Sequence, residues 1–147
     1  MAELKNSEIM ENLLNILINI SGRKTDRGHA IFTLDSVIKK LEVKYDFLKH
    51  VKIEDNRYVE YVDPVSVMRD INKINLENMG EALHDIITTM DDSLGDDAGH
   101  FFIKEVRNSL NDDFKTSMDE MGVDLSLMQL EREVRSLEKS IMHKKES

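Results

Sequence analysis

Residues 7–21 read SEIMENLLNILINIS, and this stretch decides how the chain can fold. Ile9, Leu13, Ile16 and Ile20 follow 4, 3, 4 spacing, Met10, Leu14 and Leu17 form a second apolar row, and Ile18 adds to it. Glu8, Asn12, Asn15 and Asn19 mark one polar face. A surface helix needs a single apolar stripe, so a helix with two must be covered on two sides. The spacing predicts a core helix capped by Ser7 and stopped at Gly22. Either the rest of the chain covers it, or a second subunit completes it across Met10, Leu14 and Leu17 as a homodimer interface. Glu3, Glu8, Glu11 and the asparagines interrupt the apolar run, so neither a signal peptide nor a membrane span is expected.

Immediately after it, SGRKTDRGHA (residues 21–30) reads as a loop from its glycines and polarity. It resembles a phosphate loop only superficially. A Walker A motif needs four residues between its glycines and a Gly-Lys-Ser/Thr opening a helix after a strand; here five separate Gly22 from Gly28, and a helix precedes. What remains is a basic connection carrying Arg23, Lys24, Arg27 and His29.

Further along, residues 30–33 read as a short β segment, followed by a helix capped by Thr33 or Asp35 with Leu34, Val37, Ile38, Leu41 and Tyr45 on its apolar face. Alternation from Phe47 to Ile53, a turn at Glu54–Arg57 and a return over Tyr58–Val62 predict a β-hairpin near 47–62. A helix followed by a hairpin raises a winged-helix DNA-binding regulator, with Lys39, Lys40 and Lys44 on the reading helix. Lysines alone would contact phosphates without specifying bases.

Asp63–Pro64 holds the chain's only proline and predicts a new helix with Val67, Met68, Ile71 and Ile74 as its stripe. Leu76, Met79, Leu83, Ile86, Met90 and Leu94 continue helically, joined to that helix or broken from it near Asn75. DDSLGDD (91–97) punctuates the run, and Asp96 or Asp97 is expected to cap a helix carrying Phe102, Val106, Leu110, Phe114 and Met118. Aligning Gly95 with the glycine of a calcium-binding EF-hand loop puts Met90 in the first ligand position, so that pattern fails. Met121–Gly122 closes this helix and Asp124 opens the last.

In the last helix Leu127, Leu130, Val134, Leu137 and Ile141 keep 3, 4, 3, 4 spacing, the seam of a coiled coil two heptads long. The flanking positions are Glu131, Glu133, Glu138 and Ser140. A homodimeric zipper would set glutamate against glutamate in either orientation. The helix is therefore expected to dock on its own chain or on a different, more basic partner.

Charge is distributed unevenly. Residues 1–62 hold 10 Lys+Arg and 10 Asp+Glu, whereas residues 63–147 hold 10 and 19, so the whole excess of -9 lies in the second part. Residues 22–52 carry a net +4, where any anion or nucleic-acid surface would be sought. The acidic remainder makes nucleic acid an unfavoured partner.

Catalytic patterns are sparse. Glu81-Ala-Leu-His84 places a carboxylate and an imidazole on one helix face, as di-iron bundles do, but those use two such motifs and further glutamates. The histidines at 29, 50, 84, 100 and 143 are scattered, and no serine elbow or dinucleotide fingerprint is present. The absence of cysteine excludes disulfides and Cys-ligated metals and suits a cytoplasmic setting.

At 147 residues, folding hides roughly 69% of the unfolded surface, enough core without covalent staples. The expected fold is α+β and predominantly helical: a lobe over 1–62 of helix, helix and hairpin, then an acidic helical bundle over 63–147. The expected function is a noncatalytic cytoplasmic interaction or regulatory module, without a cofactor, working through a protein partner or self-association and not through a membrane. Winged-helix DNA binding, or binding of a small ligand or metal in the bundle, stands as the alternative.

Overall fold

A computed structural model describes residues 4–55 and 63–146, with the side chains of 96–98 and 142–146 left aside. Six α-helices and a two-stranded antiparallel sheet make a predominantly helical α+β fold among the described residues. The helices are α1 (Asn6–Lys24), α2 (Arg27–Glu42), α3 (Leu76–Gly99), α4 (Phe102–Ser109), α5 (Asp112–Glu120) and α6 (Leu125–Glu146). Strands β1 (Val51–Ile53) and β2 (Val65–Val67) lie between α2 and α3, flanked by 3-10 turns at Asp46–His50 and Arg69–Lys73. None of the described helices is long and apolar enough to cross a membrane.

Both stripes of α1 are covered by its own chain. Ile9, Met10, Leu13, Leu14, Leu17, Ile18 and Ile20 are at most 1% exposed, packed among α2, α3, α4 and β2. Met10, Leu14 and Leu17 are thus core residues, not a homodimer interface. Each such side chain contributes about 1.5–3 kcal/mol by leaving water. The polar face of α1 is also put to use. Asn15 Oδ1 accepts from the Val65 N–H (3.1 Å), its Nδ2 donates to the Val65 carbonyl (3.2 Å), and Glu11 Oε1 accepts from Val67 (3.1 Å). The edge of β2 turned away from β1 is therefore satisfied by two side chains of a helix, which removes an unpaired strand edge.

Several local expectations are corrected. Ser7 does not cap α1, which begins at Asn6; the Ser7 N–H instead donates to Asn72 Oδ1 (2.8 Å), and Asn6 Nδ2 donates to the carbonyls of Ile71 and Ile74. Gly22 does not stop α1. It is an ordinary helical residue whose missing side chain admits the start of α2, since a Cβ there would lie 3.2 Å from Arg27 Cα. The loop shrinks to Thr25–Asp26, and Asp26 caps α2 by accepting from the His29 N–H at 2.8 Å. Residues 30–33 are helical, because Ala30, Ile31, Leu34, Val37 and Ile38 bury one continuous helical face.

The hairpin is shorter than expected at its start and paired differently. Residues 46–50 form a 3-10 turn, and β1 pairs with β2 in the register Val51↔Val67, Lys52↔Ser66, Ile53↔Val65. The return expected at 58–62 falls outside the described residues. Pro64 leads into β2 and opens no helix; its carbonyl accepts from the Glu54 N–H (2.8 Å), a role that needs no donor of its own. Helix α3 begins only at Leu76, where Asn75 Oδ1 caps the Asn78 N–H (2.8 Å). Thus β1 and β2 join across Asp63–Pro64, and buried residues from both sides enter one core cluster.

Beyond it, α3 kinks at Gly95, whose φ of 78° lies in the left-handed region. The helix expected to carry Phe102 through Met118 is two helices. A helical segment does resume at Asp96 after the break at Gly95 but runs only to Gly99; α4 opens at Phe102, and Asn111 caps α5 by accepting from the Phe114 N–H (3.0 Å). Met121–Gly122 ends α5 with Gly122 at φ 87°, and Asp124 Oδ1 caps α6 at the Leu127 N–H (3.1 Å), both as the sequence predicts. Gly80 of α3 lies directly against this turn: a Cβ there would overlap the Met121 carbonyl oxygen.

Candidate interaction surface

The basic residues singled out from sequence fall at opposite ends of α2. Arg23, Lys24, Arg27 and His29 surround its start and Lys39, Lys40 and Lys44 its end, about 20 Å apart at the helical rise. Most are engaged within the chain. Lys24 pairs with Glu105 (3.0 Å), Lys39 with Asp35 (2.8 Å) and Lys44 with Asp85 (3.2 Å), while Arg27 donates to Asn19 Oδ1 (3.0 Å).

Asp85 gathers three donors. Tyr45 Oη donates to its Oδ2 (2.5 Å), beside Lys44 Nζ, and His84 Nδ1 stands 3.5 Å from Oδ1. Burial alone would raise the Asp85 carboxyl, but the hydrogen bonds from Tyr45, Lys44 and His84 outweigh it and hold the group below its ordinary range. Burial, then the bond to Asp85, raises the Tyr45 hydroxyl. This is a clasp between the end of α2 and the middle of α3, with the carboxylate saturated. Glu81 and His84 lie on the exposed side of α3 at the same cleft, and no group of three metal-ligating side chains occurs among the described residues.

The last helix is seated on the body by polar as well as apolar residues. Leu125, Met128, Gln129 and Arg132 are buried. Gln129 Oε1 accepts from the Lys104 N–H (3.1 Å) and its Nε2 donates to the His100 carbonyl (3.0 Å), so α6 supplies the cap that α4 lacks in its own sequence. Arg132 Nε lies 2.8–2.9 Å from both Asp91 oxygens, and its Nη2 donates to the Gly95 carbonyl freed by the kink (3.0 Å). Gly99 leaves room for that guanidinium, since a Cβ there would sit 2.5 Å from Arg132 Nη2. Burial pushes the Asp91 carboxyl up, against the pull of Arg132.

Because α6 is held through Met128, Gln129 and Arg132, its heptad seam is turned outward. Leu127, Leu130, Val134, Leu137 and Ile141 are 45–63% exposed, and at 100° per residue their mean direction is nearly opposite to the buried face. Docking of the seam on its own chain, expected from the spacing, is thereby corrected: Gln129 and Arg132, polar residues invisible to a hydrophobic pattern, decide which face goes in. Other exposed large apolar residues, Phe32, Val43, Met68, Leu76 and Phe101, lie outside α6.

Charge on α6 is unevenly placed around the helix. Arg132 and Lys139 line a cleft of about 450 Å³ with Asp91 and Asp92, and Arg135 stands between this cleft and the groove beside Glu131 and Glu138. Glu131 and Glu138 are exposed on one flank of the seam; Glu133, on the other, accepts from Gln129 Nε2 (3.3 Å). Beside Leu130 and Val134 a groove of about 480 Å³ opens toward α3, floored by Ile103 and Met128 and edged by His84 and Thr88. This arrangement offers an apolar ridge with an acidic margin and an adjoining groove. Comparison of the chain with protein-family models, with curated proteins and with solved structures returned no match.

Proposed function

We propose that this protein is a noncatalytic interaction module that engages a helical partner along the outward seam of α6. The observation that carries this reading is the run of five exposed apolar residues at heptad spacing on a helix already fixed to the body by its other face. Such a stripe is what a partner helix packs against with knobs into holes. A rigidly seated helix also spares the partner much of the ordering cost of binding. The absence of cysteine suits action in a reducing cytosol. Three of the basic residues around α2, Lys24, Lys39 and Lys44, are paired with carboxylates of the same chain, which favours a protein partner over nucleic acid.

Synthetic amphipathic helices of about three heptads, with leucine at positions a and d, provide the test. At least one of a set differing only in its flanking charges is expected to bind the full chain in fluorescence anisotropy, and Leu130→Asp/Leu137→Asp to abolish that binding while leaving the circular dichroism unchanged. If no peptide of the set binds, the reading fails.

A further inference from the structure

We infer that the occupant of the α6 seam is a basic amphipathic helix of another protein, its Lys or Arg residues set against Glu131 and Glu138. The inference rests on the docking reading above and adds the chemistry of the partner. Three observations carry it. First, both flanks of the seam carry glutamates, Glu131 and Glu138 on one and Glu133 on the other, and of the described cations of α6 Arg132 and Lys139 face Asp91 and Asp92 while Arg135 alone also reaches the groove, where the two glutamates outnumber it. A partner helix lying on the seam therefore meets glutamates at the positions where interhelical ion pairs form. Second, the same charges disfavour a second copy of this chain, because parallel pairing sets Glu133 against Glu138 and antiparallel pairing sets Glu131 against Glu138. Third, residues 63–147 carry the whole net charge of -9, so the wider field around the seam also attracts a cation-rich ligand.

Length adds a geometric condition. Leu127 to Ile141 spans about 21 Å, two heptads, whereas a free-standing coiled coil needs three or four. A partner held by the seam alone would be held weakly. The groove beside it, floored by Ile103 and Met128 and bordered by Glu131 and Glu138, extends the apolar contact on the same flank as the two exposed glutamates. The partner helix thus lies off-centre, toward α3, with its basic edge over Glu131 and Glu138.

Three peptides identical at a and d, carrying lysine, glutamine or glutamate at e and g, separate the outcomes when titrated into the full chain. The lysine peptide is expected to bind tightest, on the order of tenfold above the glutamine peptide at low salt, with the gap closing at high salt. Glu131→Lys/Glu138→Lys, at two exposed positions, is expected to lower lysine-peptide affinity by about tenfold and to raise that of the glutamate peptide. Equal, salt-independent binding of the lysine and glutamine peptides would overturn the basic partner while leaving the docking module standing. Dimerisation of the chain by itself, lost in Leu130→Asp/Leu137→Asp, would overturn it in favour of a second copy. Binding to phosphatidylserine vesicles, lost in the same variant, would overturn it in favour of a lipid surface.

Discussion

Helices α1 and α6 both carry apolar residues at 3 and 4 spacing, and they end in opposite situations. In α1 seven apolar side chains are at most 1% exposed; in α6 five are 45–63% exposed. Nothing in the spacing separates them. What separates them is the polar residues alongside. Asn15 and Glu11 of α1 find the open edge of β2, so part of its polar side faces protein too. Gln129 and Arg132 of α6 find the bare start of α4 and the kink at Gly95, and by docking there they turn the better apolar stripe to solvent. Periodicity reveals that a face exists; directional bonds of the polar face select which side is covered.

The largest effect expected is at the centre of α1. Leu14→Ala should cost about 2–5 kcal/mol, the transfer term plus the cavity left in a core that cannot close around it. Urea unfolding of the purified chain measures this. A loss of less than 1 kcal/mol would place Leu14 in a less packed setting than its full burial implies. Next comes the staple that orients α6. Arg132→Ala leaves the Asp91 carboxylate buried without its partner, and a loss of about 3 kcal/mol is expected. The double variant Asp91→Leu/Arg132→Leu should recover much of it, since the pair's own net contribution is small once both charges are gone. Full recovery in stability with lost peptide binding would show that the pair serves to aim the seam.

These expectations also explain what could be read from the chain unaided. The helical class, the central place of α1, the buried face of α3 at Met79, Leu83, Ile86 and Met90, and the Gly122 and Asp124 signals that divide α5 from α6 are local patterns, and each survives in the structure. What failed depended on partners far along the chain. Val65–Val67 is a strand because β1 and α1 supply its bonds, not because three residues prefer that state over a helix opened by Pro64. Gly22 reads as a stop, yet its use is close approach to Arg27, which only the packing of α1 on α2 reveals. The seam of α6 was legible as a seam and in its acidic margin. Its exposure was not, because that follows from Gln129 reaching His100 and Lys104, and Arg132 reaching Asp91, contacts without a periodic signature.

A smaller effect is expected from pH at the α2–α3 clasp. The Asp85 carboxyl titrates below its ordinary value of 3.8 in the folded chain, so the folded state binds its proton more weakly than the unfolded state. Its contribution is therefore complete above that value and is lost as acid carries the pH below it. Asp85→Asn should lower the melting temperature slightly at neutral pH, with the difference shrinking as acid carries the pH below 3.8. A difference that grows in acid would reverse the sign and remove Asp85 as the saturated carboxylate of the clasp.

The smallest stability change belongs to the seam, and it is the most informative about α6. Leu137 is 63% exposed, so replacing it removes little buried area and leaves no cavity. Leu137→Asp should change unfolding free energy by no more than about 0.5 kcal/mol, the range of surface substitutions that touch no special feature. The same change at Leu14 would place a carboxylate in a closed core. If Leu137→Asp proved as damaging as a core substitution, the outward seam would be covered in the isolated protein, by its own chain or by another copy. If instead it is neutral for folding and harmful to peptide binding, an apolar stripe of no use to the monomer is retained at a surface where exposed leucine promotes aggregation, and its function lies in what it binds.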